Sequence, residues 1–169
     1  MDRCNECGFQ YDLGKATAAG EAIVVAAAQL AATLEDPRIE TRSRRQLPTW
    51  SPVEYGCHLR DVLLVQRERV LLARRVERPS LEPMGRDERA DHDGYGAQDP
   101  FDVARQLVDA ARMFRNVLAR LDPKDWERIV RYNYPEPAER SLRWVATHTL
   151  HEAQHHLLDV QLQLPGNAM

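Results

Sequence analysis

The sequence predicts an all-α protein, an up-and-down four-helix bundle with essentially no sheet. Three observations lead there. Four separate stretches carry apolar residues at helical spacing. Three of them open on a capping residue, and two of those caps are followed at once by proline. No stretch sustains the two-residue alternation of β-branched side chains that marks strands. At 169 residues the chain suits one domain around a single core.

Residues 1–14 read as a cysteine-bearing leader, and the bundle is expected over 15–169. Lys15 to Leu34 is rich in alanine, with Ile23, Ala27, Leu30 and Leu34 one or two turns apart. Glu35-Asp36-Pro37 stops this helix, and a basic connector follows from Arg38 to Gln46. Ser51-Pro52 is a cap with proline at the first helical position. The second helix runs to about Arg75, with Tyr55, Leu59, Val62, Leu63 and Val70 along one side. Pro79 to Asp99, rich in proline, glycine and charge, reads as a long surface loop of the kind that covers pockets. Asp99-Pro100 repeats the cap and opens a third helix to about Leu121. Its buried stripe is Val103, Leu107, Ala110, Ala111, Phe114 and Leu118. A turn at Asp122-Pro123 leads to Trp126, and Tyr134-Pro135-Glu136-Pro137 breaks the chain again. Ser141 then caps a fourth helix through about Leu164.

Acidic residues outnumber basic ones by 26 to 23, a formal charge of −3. That balance supplies no field to draw in nucleic acid or an anionic membrane. Met1-Asp2-Arg3-Cys4 has no apolar signal region. The longest uninterrupted apolar run, Ala22 to Ala28, is far short of the ~20 residues that cross a bilayer. A cytoplasmic location is expected, with a small molecule as the partner. Three cysteines without disulfide-framework spacing point to thiol or metal chemistry.

The fourth helix carries four of the six histidines, at 148, 151, 155 and 156. Two pairs stand four apart, His151 with His155 and Glu152 with His156, so each pair shares a helix face about 5–6 Å apart. Imidazole and carboxylate suit zinc, and three protein donors leave a coordination position open. On a helical wheel, His156 lies roughly 60° and Glu152 roughly 100° from the centre of the apolar stripe, on one flank. His151 and His155 lie about 160° away, toward the outside. Glu152 near a core is costly without a partner, and metal ligation removes that cost. His148 and His92 read as solvent-facing or hydrogen-bonded histidines, and Cys57 as a packing residue.

Leu47-Pro48-Thr49-Trp50-Ser51-Pro52-Val53-Glu54-Tyr55-Gly56-Cys57-His58-Leu59 resembles the second helix of DinB/YfiT-like proteins. The branch containing mycothiol-dependent maleylpyruvate isomerase is especially similar. There a tryptophan, a Ser/Thr helix start and a histidine eight residues past the tryptophan recur, as in Trp50 and His58. That branch also carries Glu-x-x-x-His, two apolar residues and Asp on its last helix, matching Glu152 to Asp159. The resemblance implies a metal triad of His58, Glu152 and His156. Other members use His-x-x-x-His, which would put His151 and His155 in place of Glu152 and His156. The wheel and the following Leu-Leu-Asp favour the former set.

The leader, Arg3-Cys4-Asn5-Glu6-Cys7-Gly8-Phe9, is a Cys-x-x-Cys knuckle followed by glycine, a common opening of a zinc site. A second, closed site of Cys4, Cys7, His151 and His155 is expected from ligand chemistry. A flexible leader with two free thiols is the competing reading. A redox dithiol lacks a surrounding thioredoxin-like βαβ pattern.

For the first site, the family resemblance implies activation of a low-molecular-weight thiol, mycothiol in the isomerase branch and bacillithiol in related transferases. Transfer, isomerisation or hydrolysis of a small molecule would follow. Zinc is the expected ion, and nickel and iron accept the same donors. No general base can be named, although Asp91, His92 and Asp93 lie in the long loop. The alternative is a non-catalytic binding or regulatory bundle stabilised by metal, paired as a homodimer through its alanine-rich first helix.

Overall fold

A computed structural model describes residues 3–134 and 136–164. Met1, Asp2, Pro135 and the expected end of the bundle at 165–169 lie outside the described residues. Four long helices form the body: α1 (Ala19–Glu35), α2 (Pro52–Arg75), α4 (Pro100–Leu118) and α5 (Leu142–Gln161). The short helix α3 (Arg86–His92) lies between α2 and α4.

The helix starts follow local chemistry. Ser51 and Glu54 form a reciprocal capping box at α2, with Pro52 in the first turn. Asp99 accepts from the amides of Phe101 and Asp102 at α4, and Ser141 accepts from Trp144 at α5. The first helical segment begins as a 3-10 turn, Leu13–Ala18, capped by Asp12. With that turn, Leu13–Glu35 has the length and apolar composition of a membrane span, which counting uninterrupted apolar residues missed. Here Ile23, Ala27, Leu30 and Leu34 are buried inside the bundle.

Helix order departs from the expected up-and-down succession. Helices α1 and α2 each pack mainly on α4 and α5, so α1 and α2 face one another across a diagonal. Short loops make consecutive helices neighbours. Here the connections 36–51, 76–99 and 119–141 are long enough to cross the end of the bundle.

Those connections hold structure that helical periodicity could not reveal. The expected surface loop at 79–99 contains β1 (Ser80–Leu81), α3 and a 3-10 turn at Tyr95–Ala97. Tyr95 is fully buried, and its hydroxyl donates to Asp61 at 2.7 Å. Strands β2 (Ile129–Asn133) and β3 (Pro137–Ser141) pair antiparallel about the Pro-rich break, and β1 adds in parallel on the other edge of β2. The expectation of essentially no sheet thus meets one small three-stranded sheet. Its strands are too short for alternation to stand out, yet Val130 and Tyr132 are buried on β2 while Arg131 is exposed.

The main core gathers Ile23, Leu30, Leu63, Leu107, Phe114 and Val160 from all four long helices. A second cluster at the start of α2 holds Val53, Cys57, Tyr95 and Val103. Helices α1, α2 and α4 approach closely at Gly56, where an added Cβ would sit 2.8 Å from Leu34 Cδ1 and 3.0 Å from Val103 Cγ1. This packing places α2 beside α5, with His58 toward the histidine-bearing face.

Candidate metal centre

Helices α2 and α5 bring His58, Glu152 and His156 together, with one ligand-type atom from each within 4.8 Å of the others. The His58 and His156 rings are 5.0 Å apart and cross at 73°. His156 Nδ1 is 3.0 Å from Asp159 Oδ2, one turn further along α5. That contact fixes the ring and leaves Nε2, 3.6 Å from Glu152 Oε2, facing the triad. His58 Nδ1 and His156 Nε2 are buried without a hydrogen-bond partner in the protein. Orphaned imidazole nitrogens beside a carboxylate are a donor set that fits a divalent metal. Asp159 then supplies the outer carboxylate that such histidines commonly engage.

Aromatic rings close the surroundings. Trp50 stands edge-on to His58 at 5.1 Å, and Tyr55 lies 5.2 Å from His156. The Arg86 guanidinium, at the start of α3, lies over the Trp50 ring, 5.5 Å from its centroid. Asp93 is engaged elsewhere, with Arg60 at 3.3 Å and Gln98 at 3.0 Å, and Asp91 and His92 are exposed. A cleft of about 590 Å³ lined by Arg60, Asp61, Asp93 and Gln98 includes none of the clustered histidines. Its buried Arg60 is already bonded to Asp61, Gln98 and Gln106.

Without an ion, the cluster is a set of compensating charges. Burial, with the nearby His156 charge, pushes His58 down to about 4. Burial alone would also lower His156, but the Asp159 and Glu152 carboxylates beside it raise it to about 9. Burial opposes ionisation of Glu152, yet His151 and His156 hold it well below the ordinary carboxylate range.

The outer face of α5 is covered by the leader. Residues 3–10 fold into a small hairpin, with Cys4 N donating to Phe9 O at 2.8 Å and Gly8 N donating to Cys4 O at 3.0 Å. Gly8 has φ +75°, a conformation that favours glycine. Cys4, Cys7, His151 and His155 place one ligand-type atom each within 4.8 Å of one another. His151, placed outward by the wheel, is only 8% exposed because Phe9 and Tyr11 lie against it.

Of the two readings of His148, solvent-facing or hydrogen-bonded, the structure shows the second, with a side chain and not the backbone as partner. Its ring stacks on Trp144 at 4.5 Å, and its Nδ1 is 3.0 Å from the Tyr11 hydroxyl. The same hydroxyl is 2.9 Å from His151 Nδ1. His148, His151 and Glu152 form a third close group, and burial pushes His148 down to about 4. Sequence reasoning missed His148 and Tyr11. His148 and Glu152 stand four apart, so that pair carried the same signal as the two that were recognised. Tyr11 had no comparable signal.

Residues 22–160 match the model of the DinB superfamily. The chain belongs to the DinB superfamily. Among solved structures it is similar to YfiT from Bacillus subtilis, described as a probable metal-dependent hydrolase with an unusual four-helix bundle topology. The two share 14% identity at a TM-score of 0.75, over 94% of this chain and 89% of that one. No curated protein sequence gave a match. As a DinB-superfamily bundle, the chain displays its histidine cluster where α2, α5 and the leader meet.

Proposed function

We propose that this DinB-superfamily protein is a metal-dependent enzyme that activates a low-molecular-weight thiol, or water, for attack on a small electrophilic substrate. One observation carries the proposal: two buried imidazole nitrogens without partners converge with Glu152, and His156 is already oriented by Asp159. His58, Glu152 and His156 would hold the ion. Zinc suits these donors, and nickel or iron(II) is compatible with them. When bound, the ion supplies Lewis acidity that polarises a carbonyl and lowers the pKa of a thiol or water.

The chain's own residues supply the rest. Asp159 sets the His156 ring so that Nε2 is directed inward. Trp50 and Tyr55 flank His58 and His156, and rings that displace water there would strengthen electrostatics within the site. Arg86 lies close enough for its charge to act on both His58 and Glu152.

The resemblance to the mycothiol-dependent branch supports thiol activation, and the description of YfiT as a probable hydrolase supports water activation. Chlorodinitrobenzene supplied with mycothiol, and a nitrophenyl ester without thiol, separate these routes. His58→Ala is expected to remove one metal equivalent and lower the active rate at least about 100-fold, the scale of losing a catalytic electrostatic group. An unchanged rate in His58→Ala would overturn the assignment of the triad.

A further inference from the structure

We propose that Cys4, Cys7, His151 and His155 form a second, closed zinc site that locks the leader onto the outer face of α5. This inference does not rest on the catalytic reading of His58, Glu152 and His156. It rests on three geometric features of the leader and α5.

The donors have suitable identities and separations. Cys4 Sγ lies 3.9 Å from His155 Nδ1, and all four ligand atoms fall within 4.8 Å of one another. Zn–S bonds of about 2.3 Å and Zn–N bonds of about 2.0–2.1 Å put the donors of a tetrahedral centre roughly 3.3–3.8 Å apart. Only a small contraction separates the present arrangement from that geometry. Two thiolates and two imidazoles fill a tetrahedral site, leaving no open position.

The leader has the backbone of a zinc knuckle. Its turn is closed by the Cys4–Phe9 and Cys4–Gly8 backbone bonds, with Gly8 in the left-handed region. An antiparallel bridge between Arg3 and Gln10 carries the chain away from the turn. Both cysteines are thereby presented from one end of a tight loop, with Cys4 only 8% exposed.

His151 also has a nitrogen free, and His155 turns one toward Cys4. His151 Nε2 is buried without a partner, on a residue 92% removed from solvent by its 8% exposure. With Nε2 as ligand, Nδ1 carries the proton and donates to the Tyr11 hydroxyl, which donates in turn to His148 Nδ1. His155 faces Cys4 through Nδ1, while its Nε2 is 3.3 Å from Glu6 and 3.7 Å from Asp159. Both rings thus have outer-sphere partners that fix the tautomer needed for ligation. A leader carrying two idle thiols would leave His151 Nε2 buried and unsatisfied, at a cost in stability.

The test uses the reduced full-length chain reconstituted with cobalt(II), together with metal analysis of the zinc form. The expected result is a thiolate-to-cobalt charge-transfer band. Cys4→Ser/Cys7→Ser should abolish the band and lose one zinc equivalent, and His155→Gln should do the same from outside the leader. Amide exchange across residues 3–12 should rise at least 10-fold in both variants, while helical circular dichroism stays unchanged. His58→Ala should keep the band, which separates failure here from failure of the triad. If His155→Gln loses its helices, the double-serine variant alone decides. Absence of the band in the reduced wild-type chain, or zinc content unaffected by Cys4→Ser/Cys7→Ser, would overturn the proposal.

Discussion

Asp159 shows how much a single side chain can organise. Its Oδ2 lies 3.0 Å from His156 Nδ1 and 3.7 Å from His155 Nε2, so it stands behind one ligand of each proposed site. Asp159→Asn keeps the size but weakens the hold on both rings. Apparent metal affinity should fall roughly 10–100-fold, the range seen when the partner of a ligating histidine is removed. Competition with a chromophoric chelator measures this directly. An affinity within twofold of wild type would show that Asp159 does not orient His156. The resemblance to the family motif, Glu-x-x-x-His followed by two apolar residues and Asp, is what made this aspartate visible in the sequence. Tyr11 was invisible because its partners, His148 and His151, lie at the opposite end of the chain.

Helix α2 exposes its electrostatics at its first turn. Glu54 completes the capping box and pairs with Arg44, whose guanidinium approaches to 2.5 Å. Burial pushes the Glu54 carboxyl up, but Arg44 and Ser51 outweigh it and hold the group below its ordinary 4.5. The unfolded chain therefore takes up this proton more readily than the folded one. Stability from Glu54 is complete above pH 4.5 and is lost as pH falls through the depressed folded value. Glu54→Gln retains a capping acceptor but removes the charge. It should cost about 1–2 kcal/mol at pH 7 and show a shallower loss of stability on acidification. Urea titrations at pH 7 and pH 4 check both, and parallel pH profiles for variant and wild type would refute the linkage. The cap was legible as Ser51-Pro52, but the reciprocal role of Glu54 was not recognised. The Arg44 pair was not legible, because the connector before α2 has no periodicity to fix its path.

At the scale of the fold, the bundle and the histidine cluster have separate sources of stability. The main core joins apolar side chains from all four long helices. Burial of such side chains contributes about 1.5–3 kcal/mol each, so the helices have a folding drive of their own. The leader instead rests on Phe9, Tyr11 and the proposed zinc. Removing metal with a chelator should leave helical circular dichroism within about a tenth of its starting value while residues 3–12 become sensitive to protease. Collapse of the helical signal on chelation would show that metal holds the whole bundle, as in small zinc-dependent domains.

Local rules reached much of this molecule. Helix starts at 51, 99 and 141, the apolar stripes, and the donor types spaced along α5 all follow from interactions among residues a few positions apart. The structure also brings together the two groups that the motif around His58 and the chemistry of Cys-x-x-Cys had each assembled. The diagonal placement of α1 and α2, the pairing of β1 with β2, and the shielding of His151 were decided only by tertiary structure. Each joins segments far apart in the chain, and helical or strand periodicity carries no information about which distant face will cover another. The wheel correctly identified the side of α5 bearing His151 and His155. The Cys-x-x-Cys chemistry, not the wheel, anticipated the leader folding over that side, and only the structure shows Phe9 and Tyr11 turning it into an interior.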